Sequence, residues 1–289
     1  MRWEAVHRAH GAGVVSVAVL CRLVGMTRQN YYKQRSAREQ WSVDEGLVLA
    51  LVGQERARQP RLGVRKLRYL LSEELAGAGV LLGRDRFFAL LKRHDLLILR
   101  RRRSAACTTN SWHGFGVYPN LAKALTLSGP HQLLVSDITY VRTLAGFMFV
   151  CLVMDAYSRK VVGYDCSDTL EMEGALRALG LALRQLPAGA AVVHHSDRGS
   201  QYCCRPYIAQ LAERGVQVSM TEDNHCYENA KAERLNGILK QEYGLGESFV
   251  TKDAVGPAVR EAVHLYNQHR PHEALQYRFP QEVHGGVAA

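Results

Sequence analysis

"QLLVSDITYVRTLAGFMFVCLVMDAYSRKVVGYDCSDT", residues 132–169, holds three strand-like runs in succession, and its reading decides the architecture. Residues 132–143 alternate in polarity. Phe147 to Met154 is continuously apolar, as a strand buried on both faces would be, and ends in a turn. "KVVGYDCSDT" supplies the third strand. The short connections predict antiparallel pairing, because a parallel return needs a longer crossover. Downstream, "EMEGALRALGLALRQL" reads as an amphipathic helix, "AAVVHHS" as a strand, "YIAQLAERG" as a helix and "VQVSM" as a strand. A helix carrying Glu233 and a final helix, "DAVGPAVREAVHLYNQH", complete the series. The order β-β-β-α-β-α-β-α describes an α/β core: a mixed five-stranded sheet flanked by helices.

Upstream the texture is helical. Residues 17–35, "VAVLCRLVGMTRQNYYKQR", divide into a helix, a break at Gly25 and a second helix with Thr27 as N-cap. This is the helix-turn-helix pattern, whose second helix presents Arg28, Gln29, Asn30 and Lys33 to DNA; an ordinary helical hairpin is the alternative. Residues 44–99 form a second helical unit of three segments, with breaks at "QPRLG" (59–63) and "GAG" (77–79). Arg100, Arg101, Arg102 and Arg103 open a polar stretch and read as a phosphate-contacting hinge. The expected organisation is a helix-turn-helix over 1–42, a second basic helical unit over 43–103 and a linker over 104–128. The catalytic core then spans 129–245, with a helical extension over 246–289.

Charge supports that division. The chain carries a net +10, yet residues 1–120 hold 21 Lys/Arg against 9 Asp/Glu, and residues 121–289 hold 16 against 18. A basic front joined to a near-neutral module points to a polyanionic partner. The seven cysteines include no C-x-x-C pair, which argues for a reducing, intracellular setting without a disulfide framework or cysteine zinc site. The apolar run "GAGVVSVAVLC" (11–21) lacks a cleavage site and leads into a helical pattern, so it is not read as a signal peptide. No run reaches transmembrane length.

Three acidic residues resist explanation by packing. On "LLVSDITYV", Asp137 shares a strand face with Leu133, Val135, Thr139 and Val141. A carboxylate there needs a partner: a metal ion, or an arginine such as Arg142 or Arg159. Asp197 follows the strand "VVHH" and precedes "RGS", where an Asx-turn role competes with ligand binding at a strand's carboxyl end. Were the first and fourth strands neighbours, the two aspartates would share a site, and their hard oxygens would select Mg²⁺ or Mn²⁺. Glu233 lies on a helix whose face also carries Asn236, Gly237 and Lys240, with Leu235, Ile238 and Leu239 opposite.

Asp137, Asp197 and Glu233, with 35 residues between the last two and Lys240 seven further on, resemble the DDE signature of transposases and retroviral integrases. "VSDITYVRT", "MDAYSRKVVGY", "HHSDRGSQY", "TEDNHCYENAKAERLNGILKQEYGL" and "YNQHRPHEAL" are similar to words of the second-frame protein of bacterial insertion sequences of the IS-three group. The likeness extends over essentially the whole chain, including "GVYPNL" at 116–121. Leu134 and Met154 depart from the family's usual Trp and Thr. The resemblance implies a ribonuclease-H-like core that cleaves and joins double-stranded DNA, at element ends and target, using two Mg²⁺ ions with Mn²⁺ as substitute. Carried over, Asp137, Asp197 and Glu233 are the metal ligands and Lys240 a DNA contact beside the cleaved phosphate. At "YNQHRPHEAL" a structural cap before Pro271 is the plain reading, and DNA contact through Arg270 and His272 is the alternative that the family suggests. Of His194 and His195, one is expected to be packed and one to face the metal's outer shell or DNA. The family also implies a homo-oligomer on DNA and an upstream-frame helix-turn-helix protein as fusion or partner, in the bacterial cytoplasm at the nucleoid. A stand-alone metal nuclease of the same fold and a catalytically inactive helix-turn-helix regulator are the competing readings.

Overall fold

The computed structural model describes residues 2–11, 15–98, 115–222 and 229–286. The chain divides into two compact units, Met1–Ala57 with Leu71–Leu96, and Arg58–Leu70 with Leu97–Ala289. Arg100–Arg103 lie outside the described residues.

In the first unit, α1 (Arg2–Gly11) and α2 (Val17–Leu23) pack with α3 (Arg28–Arg58) around Trp3, Val6, Val17, Cys21 and Tyr31. The Trp3 indole N–H donates to the Tyr31 carbonyl at 3.1 Å. Gly25 turns the chain at φ +65°, a conformation glycine adopts without a steric cost. Thr27 Oγ1 then accepts the Asn30 N–H at 3.2 Å, the N-cap bond expected of it. The sequence pattern placed a domain boundary at 42/43, between two helices. Instead α3 runs unbroken for 31 residues. Residues 34–45 contain no glycine or proline, and "SAREQW" contains several good helix formers, so nothing stops the helix there. The segment expected as one helix over 63–76 is two, α4 (Val64–Leu70) and α5 (Ser72–Gly77). With α6 (Arg84–Arg93), α5 belongs to the first unit; α4 belongs to the second.

The second unit is built on a mixed sheet. Its strands are β1 (Leu133–Thr143), β2 (Gly146–Asp155), β3 (Val161–Ser167), β4 (Val193–Ser196) and β5 (Gln217–Met220), in the order β3-β2-β1-β4-β5. β1, β2 and β3 form an antiparallel meander, whereas β1–β4 and β4–β5 are parallel. A two-residue strand, β6 (Ser248–Phe249), pairs with the end of β1 and makes the sheet six-stranded rather than five. It is too short to leave a periodic signal. The helices are α7 (Met172–Leu183), α8 (Ser200–Cys203), α9 (Arg205–Glu213), α10 (Ala230–Glu242), α11 (Val255–His269) and α12 (Pro280–His284).

Strand alternation distributes the core between two faces. Leu133, Val135 and Val141 pack with Leu235 and Leu239 of α10 and Val259 and Val263 of α11. Leu134 and Val153 pack instead with Leu179 of α7 and Leu211 of α9. Helix α7 approaches β3 so closely that a Cβ on Gly163 would lie 2.1 Å from the Ala178 carbonyl oxygen, which only glycine permits. The fully buried Asp155 carboxylate accepts the N–H groups of His131, Tyr157 and Ser158 and the Ser158 hydroxyl. That carboxylate organises the turn from β2 to β3. Among the described residues, no helix is long and apolar enough to cross a membrane.

Candidate active site

Asp137 lies on the α10 side of β1, five residues into the strand. One carboxylate oxygen accepts the Ile138 N–H at 2.9 Å and the other accepts the Asn236 amide of α10 at 2.7 Å. Among the described residues, no lysine or arginine pairs with it, so the ion-pair alternative fails. Burial, then the charge of Asp197, pushes its pKa up to about 7; the Glu233 charge adds to the rise, and the two hydrogen bonds oppose it.

The parallel register explains the influence of Asp197. Leu133 pairs with Val193, Leu134 with His194 and Val135 with His195. The ladder ends there, and Asp137 and Asp197 follow two residues further along their chains, near enough that the Asp197 charge acts on Asp137. Asp197 Oδ1 accepts the Gly199 N–H at 3.0 Å, so the Asx turn is present. The turn and the site are not exclusive, because Asp137 and Asp197 line one cleft together. A Cβ on Gly199 would come within 3.1 Å of that Asp197 oxygen.

Glu233 sits in the first turn of α10 with its side chain exposed and, among the described residues, unpaired. Asn236, one turn further on, reaches Asp137, so Glu233 occupies the same flank of the helix. Its charge is felt at Asp137. Even so, among the described residues no three His, Cys, Asp or Glu side chains are gathered tightly enough to hold a metal ion. Two carboxylates adjoin and the third stands off. Lys240 places its ammonium 4.1 Å from the Tyr140 ring centroid.

Both histidines are packed, each 1% exposed, which overturns the expectation that one faces DNA or a metal's outer shell. Successive residues of β4 point to opposite faces, and both faces are covered. His194 Nε2 meets the Ser136 hydroxyl at 2.7 Å and the Tyr207 hydroxyl at 3.0 Å; His195 Nδ1 meets Ser219 Oγ at 2.8 Å. Burial, then the neighbouring His195, holds the His194 pKa down to about 3. A neutral imidazole behind the aspartates serves as a strut.

Arg270 is also corrected. It is 2% exposed, and its guanidinium makes two hydrogen bonds to Glu242, at 2.7 and 2.8 Å, with a third contact to His272 at 2.9 Å. It holds the end of α10 and does not face DNA. Arg28, Gln29, Asn30 and Lys33 are exposed along the first turns of α3. Sequence reasoning did not assign roles to Asn236 and Asn229. The first bonds Asp137, and the second donates to the Ser136 carbonyl at 2.9 Å. Asn236 carried a signal in its position three residues after Glu233; Asn229 carried none.

A mixed sheet with carboxylates on adjacent strands and on the helix laid across them defines a ribonuclease-H-like core of the transposase and integrase class. Models of the integrase core domain match residues 128–226 and 214–280. The chain is 34% identical over 261 residues to the 31 kDa protein of insertion element IS600 from Shigella sonnei, covering 89% of this chain and 94% of that one. It is 32% identical over 266 residues to the transposase InsF of insertion sequence IS3A from Escherichia coli K12, covering 89% and 90%. The chain therefore belongs to the IS3 family of insertion-sequence transposases, enzymes of the DDE transposase and integrase type. Among solved structures, the HTLV-2 integrase catalytic core domain in complex with magnesium aligns at 15% identity and a TM-score of 0.44, over 54% of this chain and 98% of that one.

Proposed function

We propose that this transposase cuts the ends of its own element and joins them to target DNA, with Asp137, Asp197 and Glu233 as ligands of two Mg²⁺ ions that Mn²⁺ can replace. One observation carries the reading: parallel β1 and β4 lead two carboxylates into one cleft, and the pKa of Asp137 rises to about 7 partly because of that neighbour. An all-oxygen donor set of this kind suits a hard divalent cation. Bound there, metal ions would activate a water or DNA 3′-hydroxyl and stabilise the leaving oxygen.

The chain's own groups do the positioning. Asn236 and the Ile138 N–H fix the Asp137 carboxylate through its two oxygens, and the Gly199 N–H fixes Asp197 Oδ1. Completing a three-carboxylate set requires the exposed Glu233 side chain to turn toward the pair. Lys240, seven residues along α10, carries its charge at Tyr140, a residue lining the same cleft, where a DNA phosphate would meet it. Arg28, Gln29, Asn30 and Lys33 contact DNA from the exposed start of α3, and Arg100–Arg103 add phosphate contacts. The enzyme acts as a homo-oligomer on DNA in the bacterial cytoplasm, with an upstream-frame protein as fusion or partner.

The test incubates the purified chain with labelled element ends and Mg²⁺, beside Asp197→Asn. Nicking with joined product, abolished by the substitution, is expected. Nicking without joining would reduce the protein to a nuclease, and activity that survives Asp197→Asn would refute the site.

A further inference from the structure

The stretch Arg58–Leu70 folds with the catalytic unit, although the chain on either side of it belongs to the first unit. It lies as a strap against the end of α10 that is remote from Glu233. Leu62 and Leu67 are buried, and the Tyr69 ring stacks on Tyr277 with centroids 4.8 Å apart. Two polar side chains of the strap meet the helix end directly. Lys66 Nζ donates to Oε1 of Glu242, the last residue of α10, at 3.2 Å. The buried Gln59 amide bridges two helix ends. Its Nε2 donates to the carbonyl of His269, the last residue of α11, at 3.0 Å, and its Oε1 accepts the hydroxyl of Tyr243, the residue after α10, at 3.0 Å. Arg61 and Arg65 add surface ion pairs with Glu247 and Glu273, which contribute little.

Glu233 and Glu242 are nine positions apart on one helix, about 13 Å along its axis. Over that length a helix moves as a rod, so a rotation or slide at Glu242 reappears at Glu233. Leu235, Ile238 and Leu239 keep one face of α10 buried, but hydrophobic attraction is non-directional and sets the face more than the register. Directional bonds set the register. Near the carboxylates these are Asn229 to the Ser136 carbonyl and Asn236 to Asp137; at the other end they are Arg270 and Lys66 on Glu242 and Gln59 on Tyr243. A catalytic constellation needs its groups within about 0.5 Å of the productive geometry, so both ends matter. Gln59 is not interchangeable with an apolar filler, because its two bonds need a donor and an acceptor on one side chain.

We propose that Gln59 and Lys66 are positioning residues for catalysis: they fix the end of α10 and thereby set where Glu233 and Asn236 stand relative to Asp137 and Asp197. The inference rests on the reading of the three carboxylates as the metal-binding site. The catalytic unit thus takes a working part from a stretch of chain well ahead of its sheet in the sequence.

The test compares the full chain with Lys66→Met, Lys66→Arg and the double variant Gln59→Leu with Lys66→Met, all well below their melting temperatures. Three quantities are read: the single-turnover nicking rate at saturating labelled element ends, Mn²⁺ binding by calorimetry, and DNA affinity in EDTA by fluorescence anisotropy. The double variant is expected to nick about ten- to a hundredfold more slowly and to bind Mn²⁺ more weakly, with DNA affinity unchanged. Lys66→Met alone should move the first two readouts the same way by less, and Lys66→Arg should stay near wild type. A lower melting temperature with rate and Mn²⁺ binding unchanged would make the strap a folding element only and overturn the proposal. Weaker DNA binding as the sole change would make Lys66 a DNA contact and overturn it too. If the double variant does not fold, Lys66→Met against Lys66→Arg decides, because Arg270 still holds Glu242 in both. A wild-type chain that binds Mn²⁺ but never nicks DNA sinks the transposase reading and leaves the strap to be judged on Mn²⁺ binding; one that binds no Mn²⁺ overturns both.

Discussion

Replacing Arg270 with alanine distinguishes a structural arginine from a DNA-binding one. The side chain is 2% exposed and meets both oxygens of Glu242, with Lys66 on the same carboxylate at 3.2 Å. Removing one partner of a buried ion pair costs about 3–5 kcal/mol, chiefly because the other charge is left stranded. Lys66 still faces Glu242, so the low end, about 3 kcal/mol, is expected. In a unit of this size that lowers the melting temperature by about 6–12 °C. The pH dependence follows in sign. Burial works to raise the Glu242 pKa, but the hydrogen bonds and charges of Arg270 and Lys66 outweigh it and hold the group below the ordinary glutamate range. A depressed acid contributes stability that is present above its unfolded pKa and lost as pH falls through the folded one. The penalty of Arg270→Ala should therefore be largest near neutrality and shrink in acid, as Glu242 becomes protonated. Thermal unfolding followed by circular dichroism at several pH values reads both effects, and adding Glu242→Gln should recover part of the loss. Wild-type stability combined with weakened DNA binding would refute the reasoning and return Arg270 to the DNA surface.

Asp137→Asn should raise the melting temperature at pH 8 without divalent cations. A carboxyl whose folded pKa is about 7 loses stability as pH rises from the ordinary aspartate range to 7, and removing the charge relieves up to about 4 kcal/mol; a lower melting temperature would contradict this. Gly163→Ala puts a methyl 2.1 Å from the Ala178 carbonyl oxygen, forcing α7 off β3. A loss of about 1–3 kcal/mol in a denaturant titration is expected, and an unchanged midpoint would mean that α7 does not sit this close.

How much was legible in the sequence depended on whether the cause was local or tertiary. Two-residue alternation on β1 and helical periodicity on α10 put Asp137 and Glu233 on faces, and both faces are as read. The strand order was not readable from the run of strands, because β4 is remote in sequence from the β1 strand it joins; only the aspartates hinted at it. Arg270 shows the opposite failure. In a basic chain a lone arginine before proline reads as a DNA contact, and its burial depends on Glu242, 28 residues earlier, which no local pattern connects to it. One of the two histidines was misread for a reason that was available: a central parallel strand is covered on both faces, so neither neighbour could stay outside. The same rule gives Asp197 its position. Once His194 and His195 are committed to Ser136 and Ser219 on opposite sides, the next turn of chain past the sheet edge is the first place where a carboxylate on this strand can leave the core. That place adjoins Asp137 only because β1 and β4 are parallel. Antiparallel pairing would send the chain beyond β4 toward the other end of β1, and the site would not exist.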